Sequence, residues 1–287
     1  MGSRKKYFDD YDFEEAYQKS FKDMEQDQID RILKQKKGIG YQAKTTKAGN
    51  HLELDLYPVF GNRSDAPRTK RGNGSKPAQK NLNDRRARRY LNNLVNANFG
   101  EGDLWCTFTY DAEHVPDDPE EADKRFTNFI RRINRRRKKA GKDNVKYICV
   151  TEYSSDEEKG TRCHHHVIME GDCDRDELET IWKQGKRNQT RRISPDPDTN
   201  VAGIVNYISK DPKGRKRWRA SKNLKKPIIT RSVCKFGKRT AQKMATDRDY
   251  LEKRIMKSYP GYRFIDAEVK INDINGGFYI YARMVRD

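Results

Sequence analysis

The sequence predicts an α+β protein: an antiparallel β-sheet with helices packed on it, and extra N- and C-terminal elements. Three observations predict it. Over residues 79–212 the elements read α-β-α-β-β-α-β-α. Three short runs, LWCTFTYD (104–111), VKYICVTEY (145–153) and RCHHHVIME (162–170), are apolar and rich in β-formers, as buried strands are. The second and third of these runs are joined by too short a segment for a parallel crossover, so they pair antiparallel.

Each element has its own warrant. Residues 1–38 are polar, and 12–37 read as a helix with Phe13, Tyr17, Phe21, Met24, Ile29 and Leu33 as a loose stripe. In 51–60, Leu52, Leu54 and Leu56 alternate with polar residues, which reads as a strand hairpinned with 41–46. Gly, Pro, Ser and Asn with scattered bases make 61–77 the best linker. From 78 a helix presents Leu82, Tyr90, Leu91, Leu94 and Val95 on one side. The helix 119–141 starts with Pro and acids, ends with bases and Gly, and buries Phe126, Phe129, Ile130 and Ile133. A short helix over 174–185, a strand over 186–195 and a helix over 199–212 complete the central part. Residues 217–232 read as basic loop, 240–257 as one helix, and 264–272 with 277–285 as two strands. The predicted organisation is an N-terminal extension (1–77) with a small β element and basic linker, a central domain (78–232), and a C-terminal helix plus hairpin (233–287) packed on it.

Composition narrows the function. The 287 residues carry a net charge of +19, with 37% charged and only 33% apolar residues. A compact protein with that excess of positive charge expects a polyanion, and nucleic acid is the default partner. No apolar run is long enough for a transmembrane helix, and the first residues show no apolar signal segment, so the expectation is a cytoplasmic protein with no membrane partner. Five cysteines without a CxxC pair point to reduced thiols.

Chemistry concentrates in the 162–170 strand. Alternation puts His164 and His166 on one face, about 7 Å apart at Cα, and His165 on the other beside Cys163 and Val167. Two such imidazoles bind one divalent metal or clamp one phosphate. Antiparallel pairing brings Glu152 beside the start of the His strand, giving two His and one carboxylate, a set suited to Mg²⁺ or Mn²⁺ acting as Lewis acid. Glu157 and Glu158 are rival ligands, and zinc on Cys163 with the His run is a rival centre. On the helix 199–212, Tyr207 and Lys210 share a face, and an ammonium one turn away favours phenolate. Arg131, Arg132, Arg135, Arg136 and Arg137 follow the apolar stripe of the 119–141 helix and are expected to point outward. Lys213, Arg215, Lys216, Arg217 and Arg219 flank Trp218, a stacking platform amid bases.

Taken in order, the WCTFTYD strand, the His-x-His strand and the Tyr-Ile-Ser-Lys helix resemble the motif set of the HUH endonucleases, specifically the rolling-circle replication initiators of plasmids and single-stranded DNA phages. Phe108-Thr109-Tyr110 is similar to their first motif, and residues 221–227 (SKNLKKP) to a stretch after their tyrosine helix. The resemblance covers about residues 80–230. It implies an HUH/RRM-like palm and a nuclease domain over 78–232. It implies Glu152, His164 and His166 as ligands of Mg²⁺ or Mn²⁺, and Tyr207, assisted by Lys210, attacking the scissile phosphate. Single-stranded origin DNA, a host helicase and polymerase, and a bacterial cytoplasm follow from it as well. Two departures stand out: the middle residue of the triplet is His rather than aliphatic, and the position one turn after Tyr207 is Asp211, so a second catalytic tyrosine is missing there. A non-catalytic single-stranded DNA- or RNA-binding protein, and an HUH transposase or relaxase, are the alternatives.

Overall fold

The computed structural model describes residues 19–20, 25, 27, 39–60, 77–153, 163–199, 201, 203–205, 217–271 and 277–286. They form an α+β fold of two antiparallel sheets with helices, divided between two compact units, one within Met1–Asn93 and Pro227–Asp287, the other within Leu94–Lys226. The sequence reading drew its boundaries at 77/78 and 232/233; the compact units change over at 93/94 and 226/227.

In the first unit the strands are β1 (Lys19–Ser20), β2 (Ile39–Ala48), β3 (His51–Phe60), β9 (Ile228–Ser232), β10 (Tyr262–Ile271) and β11 (Phe278–Arg286), in the order β1-β10-β11-β3-β2-β9. Gly49, at φ +60°, opens the two-residue turn that pairs Ala48 with His51. A glycine at positive φ suits such a tight hairpin turn, whose twist matches that of its strands. As expected, Leu52, Leu54 and Leu56 are buried. With Ile280, Ala282 and Met284 opposite, they face Ala241, Met244, Leu251 and Ile255 of two helices, Lys238–Thr246 and Arg248–Ser258. One helix was expected there; Asp247 breaks it by capping the second, its carboxylate accepting from the Tyr250 amide. Lys19–Ser20, expected within a helix, pairs instead with Ile271 and Lys270 at the edge of β10. The rest of the N-terminal helical stripe and the 61–76 part of the linker lie outside the described residues.

The opposite face of this sheet is charged. Helix α1 (Pro77–Asn96) sends Arg89 onto it, where the guanidinium bonds Glu53 at 2.6 Å and Asp55 at 2.6 and 2.9 Å, with its carbon 4.3 Å from the Tyr281 ring centre. Glu53 and Asp55 are nearly fully buried. Burial alone would raise the Asp55 carboxyl, but Arg89, Tyr279 and Lys44 together hold it below its ordinary value. Leu91, Leu94 and Val95 of α1 are buried as expected, whereas Tyr90 is 42% exposed and stands off the apolar side.

The second unit contains β4 (Leu104–Thr109), α2 (Pro119–Lys139), β5 (Tyr147–Glu152), β6 (His164–Met169), α3 (Arg175–Trp182), β7 (Gln189–Arg192) and β8 (Arg219–Ala220). Its sheet runs β7-β4-β6-β5-β8, antiparallel throughout. Pro119 stands at the start of α2, and Asp118 caps it by accepting from the Glu121 amide. The expected stripe of Phe126, Phe129, Ile130 and Ile133 packs on Leu104, Cys106, Phe108, Cys163, Val167 and Met169, together with Leu178, Ile181 and Trp182 of α3. Gly185 approaches the Thr109 carbonyl so closely that an added Cβ would collide with that backbone, while Trp182 Nε1 donates to the same carbonyl at 2.7 Å. Within 217–232, expected as loop throughout, two short strands form, β8 and β9, and the residues between them are loop as expected. Their signal is weak because β8 is held by polar bonds, such as Ser221 amide to Tyr147 carbonyl at 3.0 Å and Tyr147 amide to Ser221 Oγ at 3.1 Å, not by apolar alternation. No helix among the described residues is long and apolar enough to cross a membrane.

Two outcomes follow. Gly185→Ala forces a backbone shift at the end of β4 and is expected to lower stability by roughly 1–3 kcal/mol in denaturant melts. Arg89→Ala takes the cation from buried Glu53 and leaves buried Asp55 only Lys44, an expected loss of about 3–5 kcal/mol. Asp55, with a folded pKa below its unfolded one, adds stability that is complete above about pH 4 and is lost as pH falls through the folded value. Without Arg89, burial raises its pKa, so the stability lost in the variant should be greatest near neutral pH and should shrink as pH falls and Asp55 takes up its proton, read by denaturant melts followed by circular dichroism.

Candidate metal centre

Strand register builds the site. β5 and β6 pair so that Glu152 lies opposite His164, Thr151 opposite His165 and Val150 opposite His166. Directly opposed residues share a face and neighbours along a strand alternate. Glu152, His164 and His166 therefore emerge together, and His165 turns inward with Cys163.

His165 is fully buried against Phe126, Tyr110 and Trp182. Its ring nitrogens meet the Tyr110 hydroxyl at 2.7 Å and the Thr151 hydroxyl at 2.9 Å. Burial first, then the charges of His164, Arg219 and His166, lowers its pKa to about 3, so the ring is neutral. A histidine thus fills a core position that an aliphatic residue would fill, with both nitrogens satisfied. The outward pair is 164/166 and not 163/165.

On the outward face, Glu152 Oε2 lies 3.1 Å from His164 Nε2 and 4.0 Å from His166 Nε2, and the two Nε2 atoms are 3.0 Å apart. Around an ion with ligands at about 2.1 Å, donors at right angles stand about 3.0 Å apart and opposed donors about 4.2 Å, so these separations fit one ion. The electron pairs of two imidazoles and a carboxylate repel at these separations unless a ring proton or a metal ion lies between them. The cluster can hold a metal ion. His166 is steadied from behind: Thr107 Oγ1 is 3.2 Å from its Nδ1, and the Trp105 ring stacks on it at 5.3 Å between centroids and 4° between planes. With Nδ1 donating to Thr107, Nε2 keeps its lone pair for the ion.

The other expected residues are distributed as follows. Cys163 is buried on the core face, away from the His164/His166 pair, and the cluster contains no cysteine. Tyr207, Lys210, Lys213, Arg215, Lys216, Glu157 and Glu158 lie outside the described residues. Arg131, Arg135 and Arg136 are exposed, Arg136 pairing with Glu177. Arg132 and Arg137 are corrected from outward-pointing: Arg132 donates to the Ile181 and Trp182 carbonyls that end α3, and Arg137 binds Asp172, Glu170 and the Asp143 carbonyl. Arg217 and Trp218 are half-buried, and Arg219 pairs with Asp123 of α2 and donates to Thr127. The sequence reading passed over Trp105 and Thr107, although alternation within LWCTFTYD puts both on the face opposite Leu104, Cys106 and Phe108.

Residues 103–212, which contain β4, β5, β6 and Tyr207, match the model of a family described as Replication-associated protein ORF2/G2P. This similarity supports a role in replication initiation. No curated protein and no solved structure matches the chain.

Thr107→Val should leave the fold intact and weaken Mn²⁺ binding roughly 10-fold, because His166 loses the group that orients it. Isothermal titration with Mn²⁺ measures this, with His166→Ala as the stronger reference.

Proposed function

We propose that this protein is a replication initiator that nicks and rejoins single-stranded origin DNA, for rolling-circle replication, through a 5′-phosphotyrosine intermediate. One observation carries the reading: within the segment similar to ORF2/G2P replication-associated proteins, Glu152, His164 and His166 converge on a point able to hold one divalent ion. Mg²⁺ or Mn²⁺ held there would withdraw charge from the scissile phosphate as a Lewis acid. The chain's own groups do the rest. Thr107 and Trp105 fix the His166 ring, Glu152 supplies a negative ligand, and buried His165 pins β6 in register. Tyr207 is the nucleophile: its phenolic oxygen bonds to phosphorus, the bond to the 3′ oxygen breaks, and the phenol proton ends on the released 3′-OH. Lys210, three residues on, offsets charge at the tyrosine. The phosphotyrosine ester preserves the bond energy, so a 3′-OH can attack it later and close the strand. A host helicase and polymerase are the partners that the resemblance implies, the free 3′-OH serving as primer.

The test is a cleavage assay on single-stranded oligonucleotides spanning candidate origins. Cleavage should require Mn²⁺ or Mg²⁺, stop with EDTA, and yield a covalent protein–DNA adduct whose mass locates the DNA on Tyr207. Tyr207→Phe should abolish adduct and nicking while keeping DNA affinity within a factor of about two. Unchanged cleavage in that variant, or an adduct on another tyrosine, would overturn the assignment. Binding without cleavage under every divalent metal would favour a non-catalytic binder.

A further inference from the structure

The metal-bearing face of the second unit's sheet continues past the cluster. Thr107 reaches His166, so β4 directs Trp105 and Thr107 to that face. In β7 the residue opposite Trp105 is Arg191 and the one opposite Thr107 is Gln189, and opposed residues of an antiparallel pair share a face. The burial pattern agrees: Gln189 and Arg191 are exposed, while Thr190 between them is buried. Across the sheet Thr107 and Gln189 stand in line with His166, while half-buried Trp105 and exposed Arg191 stand in the next row on this face, in line with buried Ile168. Adjacent strands lie about 4.8 Å apart, so the cation stands roughly 10 Å from the His strand. β7 is the outermost strand of this sheet, and exposed Lys186 and Arg187 precede it.

The geometry points to a substrate-binding track: Trp105 stacks on a base of single-stranded DNA next to the phosphate at the metal cluster, and Arg191 holds a neighbouring phosphate at the β7 edge. This rests on the single-strand reading above and deepens it by naming residues that grip the strand. An indole offers a sequence-tolerant platform, and a nearby guanidinium supplies phosphate contact without base readout. The competing role for Trp105 is to pack on His166 alone, and the two roles separate in solution.

The experiment uses the full chain in EDTA, with neither metal binding nor cleavage contributing. Two fluorescein-labelled probes of equal length and charge are compared by anisotropy: a single-stranded oligo(dT) 20-mer and a fully abasic 20-mer. Trp105→Leu should weaken oligo(dT) binding roughly 10-fold and leave the abasic probe unchanged, and Trp105→Phe should restore oligo(dT) binding. Arg191→Gln should weaken both probes alike and reduce the slope of log affinity against log salt by about 0.7. If Trp105→Leu binds both probes as the parent does, or weakens both equally, the track is wrong and Trp105 only braces His166. The cleavage assay on the parent chain separates the readings: a parent chain that never nicks with Mn²⁺ or Mg²⁺ yet shows the Trp105 pattern loses the nicking proposal alone.

Discussion

A slip of one residue between β5 and β6 would undo the site, because strand side chains alternate and every one would change faces. In the observed register a carboxylate and two imidazoles share the outward face and a third imidazole enters the core. Three consecutive histidines are a poor register signal by themselves. The selection comes from their flanks: Cys163, Val167 and Met169 must reach the core together, and they carry His165 in with them. His165 tolerates this because Tyr110 and Thr151 supply a partner to each ring nitrogen, avoiding the cost of an unsatisfied buried polar group. The apolar packing of one face therefore sets the chemistry of the other.

The two units solve the same shortage of apolar residues differently. The second unit concentrates aromatics under its sheet, with Phe108, Phe126, Phe129, Tyr110 and Trp182 in mutual edge and tilted contact. The first unit has one apolar sheet face and closes the other with a charged seam, in which Arg89 neutralises Glu53 and Asp55. Such a seam tolerates no half measures, because removing one partner leaves a buried charge. Asn93 and Tyr281 donate to Glu53, and Tyr279 to Asp55, so the carboxylates are enclosed by donors rather than water.

Where information is local, the sequence was legible. The caps and stripe of α2, the Leu52/Leu54/Leu56 alternation and the pairing of Glu152 with the His strand all depend on residues near one another or on one short connection. What it hid is non-local. Strands from the two ends of the chain meet in one sheet, β11 on β3 and β9 on β2, and no pattern in either segment names its partner. The short strands β8 and β9 read as loop because none of their residues is buried, so no alternation of buried and exposed positions marks them. Trp105 was hidden differently: the run around it is apolar on both faces, so alternation was present but not conspicuous. Thr107 was the clue, a polar residue two positions along on the same face.

The charge excess needs the same care, because a positive count does not say where the charge is spent. Arg89, Arg132, Arg137 and Arg219 are internal struts: one neutralises a buried seam, one receives the carbonyls at the end of α3, one gathers the acids after β6, and one ties β8 to α2. Arginine suits this work, since its planar fork satisfies several acceptors at once and its charge is never lost. A chain with few apolar residues thus uses guanidinium groups where another would use leucine, and part of the arginine content is a property of the fold rather than of a partner. The proposed polyanion would instead meet bases left at the surface of the sheet that carries the cluster. Lys186, Arg187 and Arg191 are exposed around the outer strand of the sheet that carries Glu152, His164 and His166, where added negative charge meets both the ion the cluster can hold and cations that no internal carboxylate has claimed.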